Sequence, residues 1–481
     1  MASGLDVVVV GAGPNGLTAA LVLARAGLAV AVFEAGATVG GGCRTAPVTL
    51  PGFQHDICAA IHPMAAASPI FNRLRLTDQG VDWLSAQHAL AHPFVDGRVA
   101  LLSRQPGQTA ATLVSDGRRW SRLLSPFIER HEDLFDDVLR PIRLPRHPLL
   151  MARFGALALQ SSERLQREFT SEAARAMFAG IAAHGVVPLT SAGSAAFGLV
   201  LAVAGHAVDW PCARGGSGTI VAALSKLATA AGCAVTTGAT VRTVRDLPPA
   251  RLLLFDVTPR QLLQIAGDRL SSRYRRQLAR FRYGPGIFKI DYALSARIPW
   301  AADECQHAAT VHLGDRADAI AGALEDCHAG RIPEHPFVLV AQQSHLDPSR
   351  APAGKHTGWA YCHVPHGADV DMTERIERQI ERFAPGFRDV VLARRTTSPA
   401  DLEEYDANRV GGDIGGGANV LRQFLLRPTP RWDPYSTSDP DIFLCSSSTP
   451  PGGGVHGMCG YWAARSALRR LDHRVPDELL L

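Results

Sequence analysis

Charge of either sign is scarce in this chain. Only 20% of its 481 residues are charged, and 49 Lys and Arg against 45 Asp and Glu leave a formal balance of +4. A balance that thin gives no basic stripe, so nucleic acid is set aside as a partner. The nine cysteines, at 43, 58, 212, 233, 305, 327, 362, 445 and 459, include no Cys-x-x-Cys pair. That excludes a zinc ribbon and a thioredoxin-like redox motif, and the thiols read as free in a reducing compartment. Aromatics make up only 7%, and no internal repeat or low-complexity tract is evident. The longest apolar stretch, Ser191 to Val208, is rich in small residues and contains His206. A membrane span needs about 20 predominantly apolar residues, so a buried helix is expected there. The opening residues carry no basic segment and only a short apolar run before Gly11. No signal peptide is read, and a soluble, cytoplasmic protein is expected.

What is present begins at Leu5. Leu5 to Val10 is a β-branched run of the kind buried on both faces of a parallel sheet. Gly11-Ala12-Gly13-Pro14-Asn15-Gly16 follows, then apolar residues at helical spacing from Leu17 to Ala26, with Gly27 as the stop. Ala29 to Phe33 reads as a second buried strand, closed by Glu34 and Ala35. In such a βαβ unit Gly11 permits the tight turn, Gly13 lets a diphosphate approach the backbone, and Gly16 lets the helix pack on the strand. Pro14 occupies a first-turn position that needs no N–H, and the helix N-terminus faces the phosphate charge. Glu34 is placed to accept the hydroxyls of an adenosine ribose. A second cluster, Gly40-Gly41-Gly42-Cys43-Arg44, sets bare backbone and a guanidinium beside the ligand. A nicotinamide dehydrogenase has no standard use for it, whereas FAD lying extended across a domain does. The expected cofactor is FAD.

These residues, with the stretch Pro51-Gly52-Phe53-Gln54-His55-Asp56 to Ala60-Ile61-His62-Pro63, resemble the FAD-binding amine oxidase and phytoene desaturase superfamily, in its phytoene-dehydrogenase-related branch. The far end is similar too: a strand at Asp441 to Cys445, the loop Ser446 to Gly457, and a helix from about Cys459. The middle agrees through Arg214 to Thr219, a helix over Ile220 to Ala231, and Cys233 to Val241 as a strand pair or hairpin-like return. The resemblance implies an α/β, Rossmann-like FAD domain assembled from 1–67, 211–280 and 435–481. Residues 68–210 then form a mostly helical cap, and 281–434 an α+β substrate domain. It also implies cofactor contacts at Val241, Gly453, Gly454, Val455 and Gly457, with the C-terminal helix facing the flavin. Ser446 stands where the branch often has Gly, and the acid that amine oxidases place near that point is lacking, which counts against an amine oxidase.

Within the intervening regions, Arg118 to Leu139 and Ser161 to Ala183 show helical periodicity. Strands are expected at Phe281 to Leu294, Phe337 to Gln342 and Trp359 to Val364. His147 to Phe154, flanked by Arg143, Arg146 and Arg153, leaves a peripheral membrane contact open. No second nucleotide fingerprint follows, so electrons must pass between substrate, flavin and an acceptor such as dioxygen, quinone or loosely bound NAD(P)H. Flavin chemistry asks the protein mainly to orient the substrate and exclude water. The expected reaction is desaturation of a hydrophobic substrate, such as an isoprenoid or acyl chain. Saturation and double-bond isomerisation remain open on the same scaffold, and amine oxidation and a flavin-free prenyl-protein chaperone rank lower. Lys289, similar to the flavin-side lysine of amine oxidases, and His62 and His456 are the catalytic candidates. No metal site is expected, Cys43 and Cys459 are weak candidates for a covalent flavin tether, and a homodimer is left open.

Overall fold

The computed structural model describes residues 4–481. One layer is a five-stranded, all-parallel sheet in the order Ile442–Leu444, Ala250–Phe255, Leu5–Val10, Val30–Phe33, Ala234–Thr236. Val7 pairs with Leu252 on one side and Val30 on the other. Val7, Val8 and Val9 are wholly buried, which is why the strand is uniformly apolar rather than alternating. Parallel neighbours require crossovers, and helices supply them. The Pro14–Arg25 helix connects the first two strands and is buried from Asn15 to Ala24. It packs between the Gly218–Ala230 and Met458–Arg470 helices. A Cβ on Gly460 would fall 1.9 Å from the Asn15 carbonyl oxygen, so only glycine lets those two backbones meet.

The second layer is a seven-stranded mixed sheet. Its order is Val391–Thr397, Gly286–Leu294, His356–Val364, Val338–Ala341, Ala308–Leu313, His88–Pro93, Val99–Leu102. All its pairings are antiparallel except that of Ala308–Leu313 with His88–Pro93. The Glu172–Ala182 helix packs against both the Ser194–Ala207 and the Ala317–His328 helices. Among the described residues no helix is long and apolar enough to cross a membrane.

Several expectations need correction. Cys233 to Val241 forms no hairpin: one strand, Ala234–Thr236, joins Val30–Phe33 in parallel, and the chain leaves the sheet at Gly238 with φ +67°. The reading of 68–210 as mostly helical misses His88–Pro93 and Val99–Leu102, because two histidines and a proline hide the strand signal. Arg118 to Leu139 is two helices, Gly117–Ile128 and His131–Val138. Ser161 to Ala183 is likewise two, Ser162–Gln166 and Glu172–Ala182. At that second break the Asp116 carboxylate accepts the Thr170 and Ser171 N–H groups at 2.7 and 2.5 Å, and the Ser171 hydroxyl caps the new helix.

Candidate functional site

The phosphate loop leaves no room for side chains. Gly11 has φ +101°, and a Cβ there would lie 2.9 Å from the Asp256 carbonyl oxygen. A Cβ on Gly16 would fall 2.0 Å from the Gly11 carbonyl oxygen, and one on Gly13 2.9 Å from Asp256 Oδ2. The helix that follows has Pro14 in its first turn, no acid of its own there and no cap from Gly13; Asp256 Oδ2 takes the Gly16 N–H, and the helix end at Gly13, Pro14 and Asn15 lines the cavity with its positive pole. Asn15 Oδ1 is buried without a protein partner. The second glycine cluster closes the other side: a Cβ on Gly41 would stand 3.3 Å from Gly13 Cα. The two loops make one cradle of bare backbone.

At one end of the cradle Glu34 Oε2 accepts the Ala12 N–H at 2.8 Å, and Oε1 accepts the Gly36 N–H at 2.8 Å. Arg44 lines the cavity. Its guanidinium pairs with Glu34 at 3.0 Å, donates to Thr38 O at 2.7 Å and lies over the Tyr405 ring at 5.5 Å. Ala35, Gly42, Cys43 and Val241 share this wall with Ala239.

The cation nearest the glycines is one that sequence reading passed over. Arg409 is half-buried and lines the cavity, and a Cβ on Gly42 would meet its Nη2 at 2.3 Å. Asp406 holds its Nε at 3.5 Å, and its Nη1 donates to Ile414 O at 2.8 Å. The signal was a third glycine run just after it, Gly411-Gly412-Asp413-Ile414-Gly415-Gly416-Gly417. That run packs on the closing loop, where a Cβ on Gly453 would lie 2.8 Å from Gly415 O.

Gly453, Gly454, Val455 and His456 line the cavity, but Gly457 does not. Gly457 is the N-cap of the Met458–Arg470 helix, with φ +67°, and a Cβ would strike Thr18 Oγ1 at 2.5 Å. His456 Nδ1 accepts the Met458 N–H at 3.1 Å, so this histidine caps the helix as well as facing the cavity. Burial lowers its pKa to about 4, and it is neutral. Burial also pushes the Cys43 thiol well up and the Cys459 thiol to about 12, so neither is the thiolate a covalent tether would use.

His62 lines the cavity beside Pro63 and Met64. Its tautomer follows from its neighbour. Ser217 Oγ donates to Ala59 O at 2.5 Å, which spends the hydroxyl proton, so His62 Nε2 at 2.8 Å is the donor. Nδ1 is left as a bare lone pair, buried and without a protein partner. Burial holds His62 near a pKa of about 4 against the opposing pull of Asp56.

Lys289 is corrected by the structure. It is fully buried, its Nζ is ion-paired with Asp291, and it is not on the cavity wall. The Trp359 ring, which is on the wall, lies 5.9 Å from the ammonium. Asp56 pairs with buried Arg350 and accepts from Thr45 Oγ1 and Ser217 N, each at 2.8 Å. His206, within the Ser194–Ala207 helix, is satisfied by Ser103 O and Trp120 Nε1 and is structural. His184 lines the cavity, and its Nε2 meets His312 Nε2 at 3.0 Å.

The glycine loops, Glu34, Arg44, Arg409, His62, His184 and His456 border one cavity of about 1110 Å³, running from Glu34 and Val241 to Trp210, Thr310 and Leu339. It exceeds the roughly 300–1,000 Å³ of ordinary small-ligand pockets. The bare cradle, the orphaned Asn15 Oδ1 and the Glu34 carboxylate fit a dinucleotide at one end and leave space at the other. Among the described residues no cluster of His, Cys, Asp and Glu is arranged to hold a metal ion.

Comparison with known proteins agrees with this geometry. Residues 9–74 match the model of the NAD(P)-binding Rossmann-like domain. Rat pyridine nucleotide-disulfide oxidoreductase domain-containing protein 2 is 25% identical, over 97% of this chain and 94% of that protein. An uncharacterised protein of Mycobacterium tuberculosis is 26% identical over 98% of both chains. Among solved structures, an oxidoreductase from Methanosarcina mazei superposes with a TM-score of 0.66 at 16% identity, covering 97% of this chain and 100% of its own. Putrescine oxidase bound to putrescine gives 0.64 at 17% identity, covering 98% and 99%. The chain therefore has the two-domain fold of the amine oxidases and FAD oxidoreductases, built on a Rossmann-like dinucleotide-binding domain. Within that fold its relatives by sequence are named for a pyridine nucleotide-disulfide oxidoreductase domain or are uncharacterised.

Proposed function

We propose that this protein is an FAD-dependent oxidoreductase that desaturates a hydrophobic substrate, such as an isoprenoid or acyl chain. The observation that carries the reading is the continuity of the dinucleotide cradle with an apolar chamber. That chamber is walled by Phe197, Val200 and Leu201 from one helix, and by Ile287, Leu339 and Trp359 from the second sheet. Bound FAD supplies hydride acceptance; the chain supplies orientation, dryness and a proton acceptor. His62 offers the acceptor, because its Nδ1 lone pair is fixed by the Ser217 hydrogen bond. His184, on the chamber wall and backed by His312, is a second neutral imidazole. Burial lowers His184 to a pKa of about 4, so it too is uncharged at neutral pH.

Amine oxidation is the second reading, favoured by the names of the structural neighbours and by Trp359 and Tyr361 on the wall. Their rings meet edge to face, 5.0 Å apart at 76°, and so do not form two parallel walls for an amine. Exposed Ile142, Leu144 and Leu149 near the Pro148–Ala158 helix, whose Met151 and Phe154 line the cavity, suit entry of a substrate from an apolar phase.

The test is anaerobic mixing of the FAD-loaded protein with polyenes, acyl chains and primary amines. Bleaching of the flavin absorbance by a polyene or acyl chain supports desaturation, and bleaching by amines alone overturns it. Bleaching by NADPH with reoxidation by the polyene moves the assignment to a saturase. In the reactive pairing, His62→Ala is expected to slow bleaching by about 10²–10⁴-fold, the usual worth of a positioned acid or base. FAD content should be unchanged.

A further inference from the structure

Asp256 has a place in the site that its position in the sequence does not announce. It follows the Ala250–Phe255 strand directly and stands beneath the phosphate loop, lining the cavity. One oxygen, Oδ2, accepts the Gly16 N–H at 2.8 Å. The same oxygen lies 2.9 Å from where a Gly13 Cβ would be and 3.1 Å from where a Gly16 Cβ would be. Both glycines that admit a diphosphate are therefore bare against this carboxyl. Among the described residues Oδ1 takes no hydrogen bond.

A carboxylate there would face the anion the cradle is built for. An asparagine would accept the Gly16 N–H equally well, so the loop's geometry alone does not call for an acid. The charges around Asp256 come from every side. Glu34 at the end of the Val30–Phe33 strand and Asp406 in the loop after the Pro399–Tyr405 helix are negative, and Arg409 from the same loop is positive. Cys445, after the Ile442–Leu444 strand, and Cys459, in the first turn of the Met458–Arg470 helix, are uncharged because burial pushes both thiols up.

We propose that Asp256 meets the diphosphate as a neutral acid, and that dinucleotide binding takes up one proton from solvent onto this carboxyl. The proposal rests on the dinucleotide reading of the cradle. Burial, reinforced by Asp406 and Glu34 and opposed by the Gly16 hydrogen bond and Arg409, already raises this carboxyl to about 7 before any phosphate is added. The diphosphate's negative charges raise it further. The sign follows from that order. Below about pH 7 the carboxyl is protonated with or without ligand, and affinity is level. Above about pH 7 binding must bring in a proton, and affinity falls by up to tenfold per pH unit until the bound form also ionises.

The experiment is titration of the cofactor-freed chain with FAD between about pH 6 and pH 9, read by quenching of flavin fluorescence. Calorimetry near pH 8 in two buffers of different ionisation enthalpy accompanies it. The expected result is uptake approaching one proton per FAD and a falling affinity on the alkaline side. Asp256→Asn should flatten the profile and bind FAD more tightly than the native chain at the alkaline end. A level native profile without proton uptake overturns the proposal alone, as does an Asn variant that keeps the slope. Failure to bind FAD at any pH overturns the dinucleotide reading and the proposal together. The calorimetric arm needs only the native chain, so a variant that folds poorly does not blunt the test.

Discussion

Replacing Asp56 with alanine is expected to cost about 3–5 kcal/mol of folding stability, the usual penalty for stranding one partner of a buried ion pair. Arg350 is 1% exposed and already has Nε and Nη1 without partners, so Asp56 is its compensation. The carboxylate also holds Thr45 Oγ1 and Ser217 N, tying the Thr45–Ala46 and His55–Asp56 hairpin to the loop that starts the Gly218–Ala230 helix. The measurement is the urea midpoint at unchanged m-value. The double variant Asp56→Leu with Arg350→Met should lose markedly less than Asp56→Ala alone, because it removes the charge that the single variant strands. A double variant as damaged as the single one would show that the hydrogen bonds to Thr45 and Ser217, rather than the ion pair, carry the cost. The same substitution reaches the candidate base: Ser217 loses the backbone anchor that sets its hydroxyl oxygen to accept from His62 Nε2.

Residues such as Asp56 show where sequence reading stops. The strand, glycine loop and helix of 5–25 were legible because each part is adjacent in the chain and each residue type has a local backbone reason. The chemistry around that loop was not. Asp256 reaches it, and Arg409 reaches the neighbouring Gly42, from far along the chain, and no periodicity or spacing marks a carboxylate that will sit under Gly13. Lys289 illustrates the converse: its alternation with Phe288 and Ile290 announces burial, and all three are buried. Whether such a lysine faces a cavity or an ion pair depends on Asp291, two residues on and on the same face of the strand. The third glycine run at 411–417 was visible but has no strand before it, so nothing local tied it to the cofactor. His88–Pro93 was lost for a different reason. Its histidines are paired inside the fold, His88 with Ser103 Oγ at 2.8 Å and His92 with Asp315 O at 2.7 Å, and so behave there as core residues.

The phosphate loop gives the second large effect. Gly16→Ala is expected to abolish retention of the dinucleotide, with affinity for FAD falling by more than a hundredfold, or about 3 kcal/mol. The added methyl would sit 2.0 Å from Gly11 O and 3.0 Å from Gly11 C, and both are backbone atoms that no rotamer change can move aside. Relief requires the helix to back away from the strand, which breaks the 2.8 Å bond from Gly16 N to Asp256 and withdraws the helix N-terminus from the diphosphate. Flavin absorbance per chain after purification, followed by FAD titration, reads the effect. Gly267→Ala is the matched control. It adds the same methyl where φ is −57° and nothing lies within 4 Å, so stability and FAD content should stay near native. Native flavin content in the Gly16 variant would mean that the close approach of strand, glycine loop and helix is not what holds the cofactor. The burden would then shift to Glu34 and Arg409, which also line the cavity.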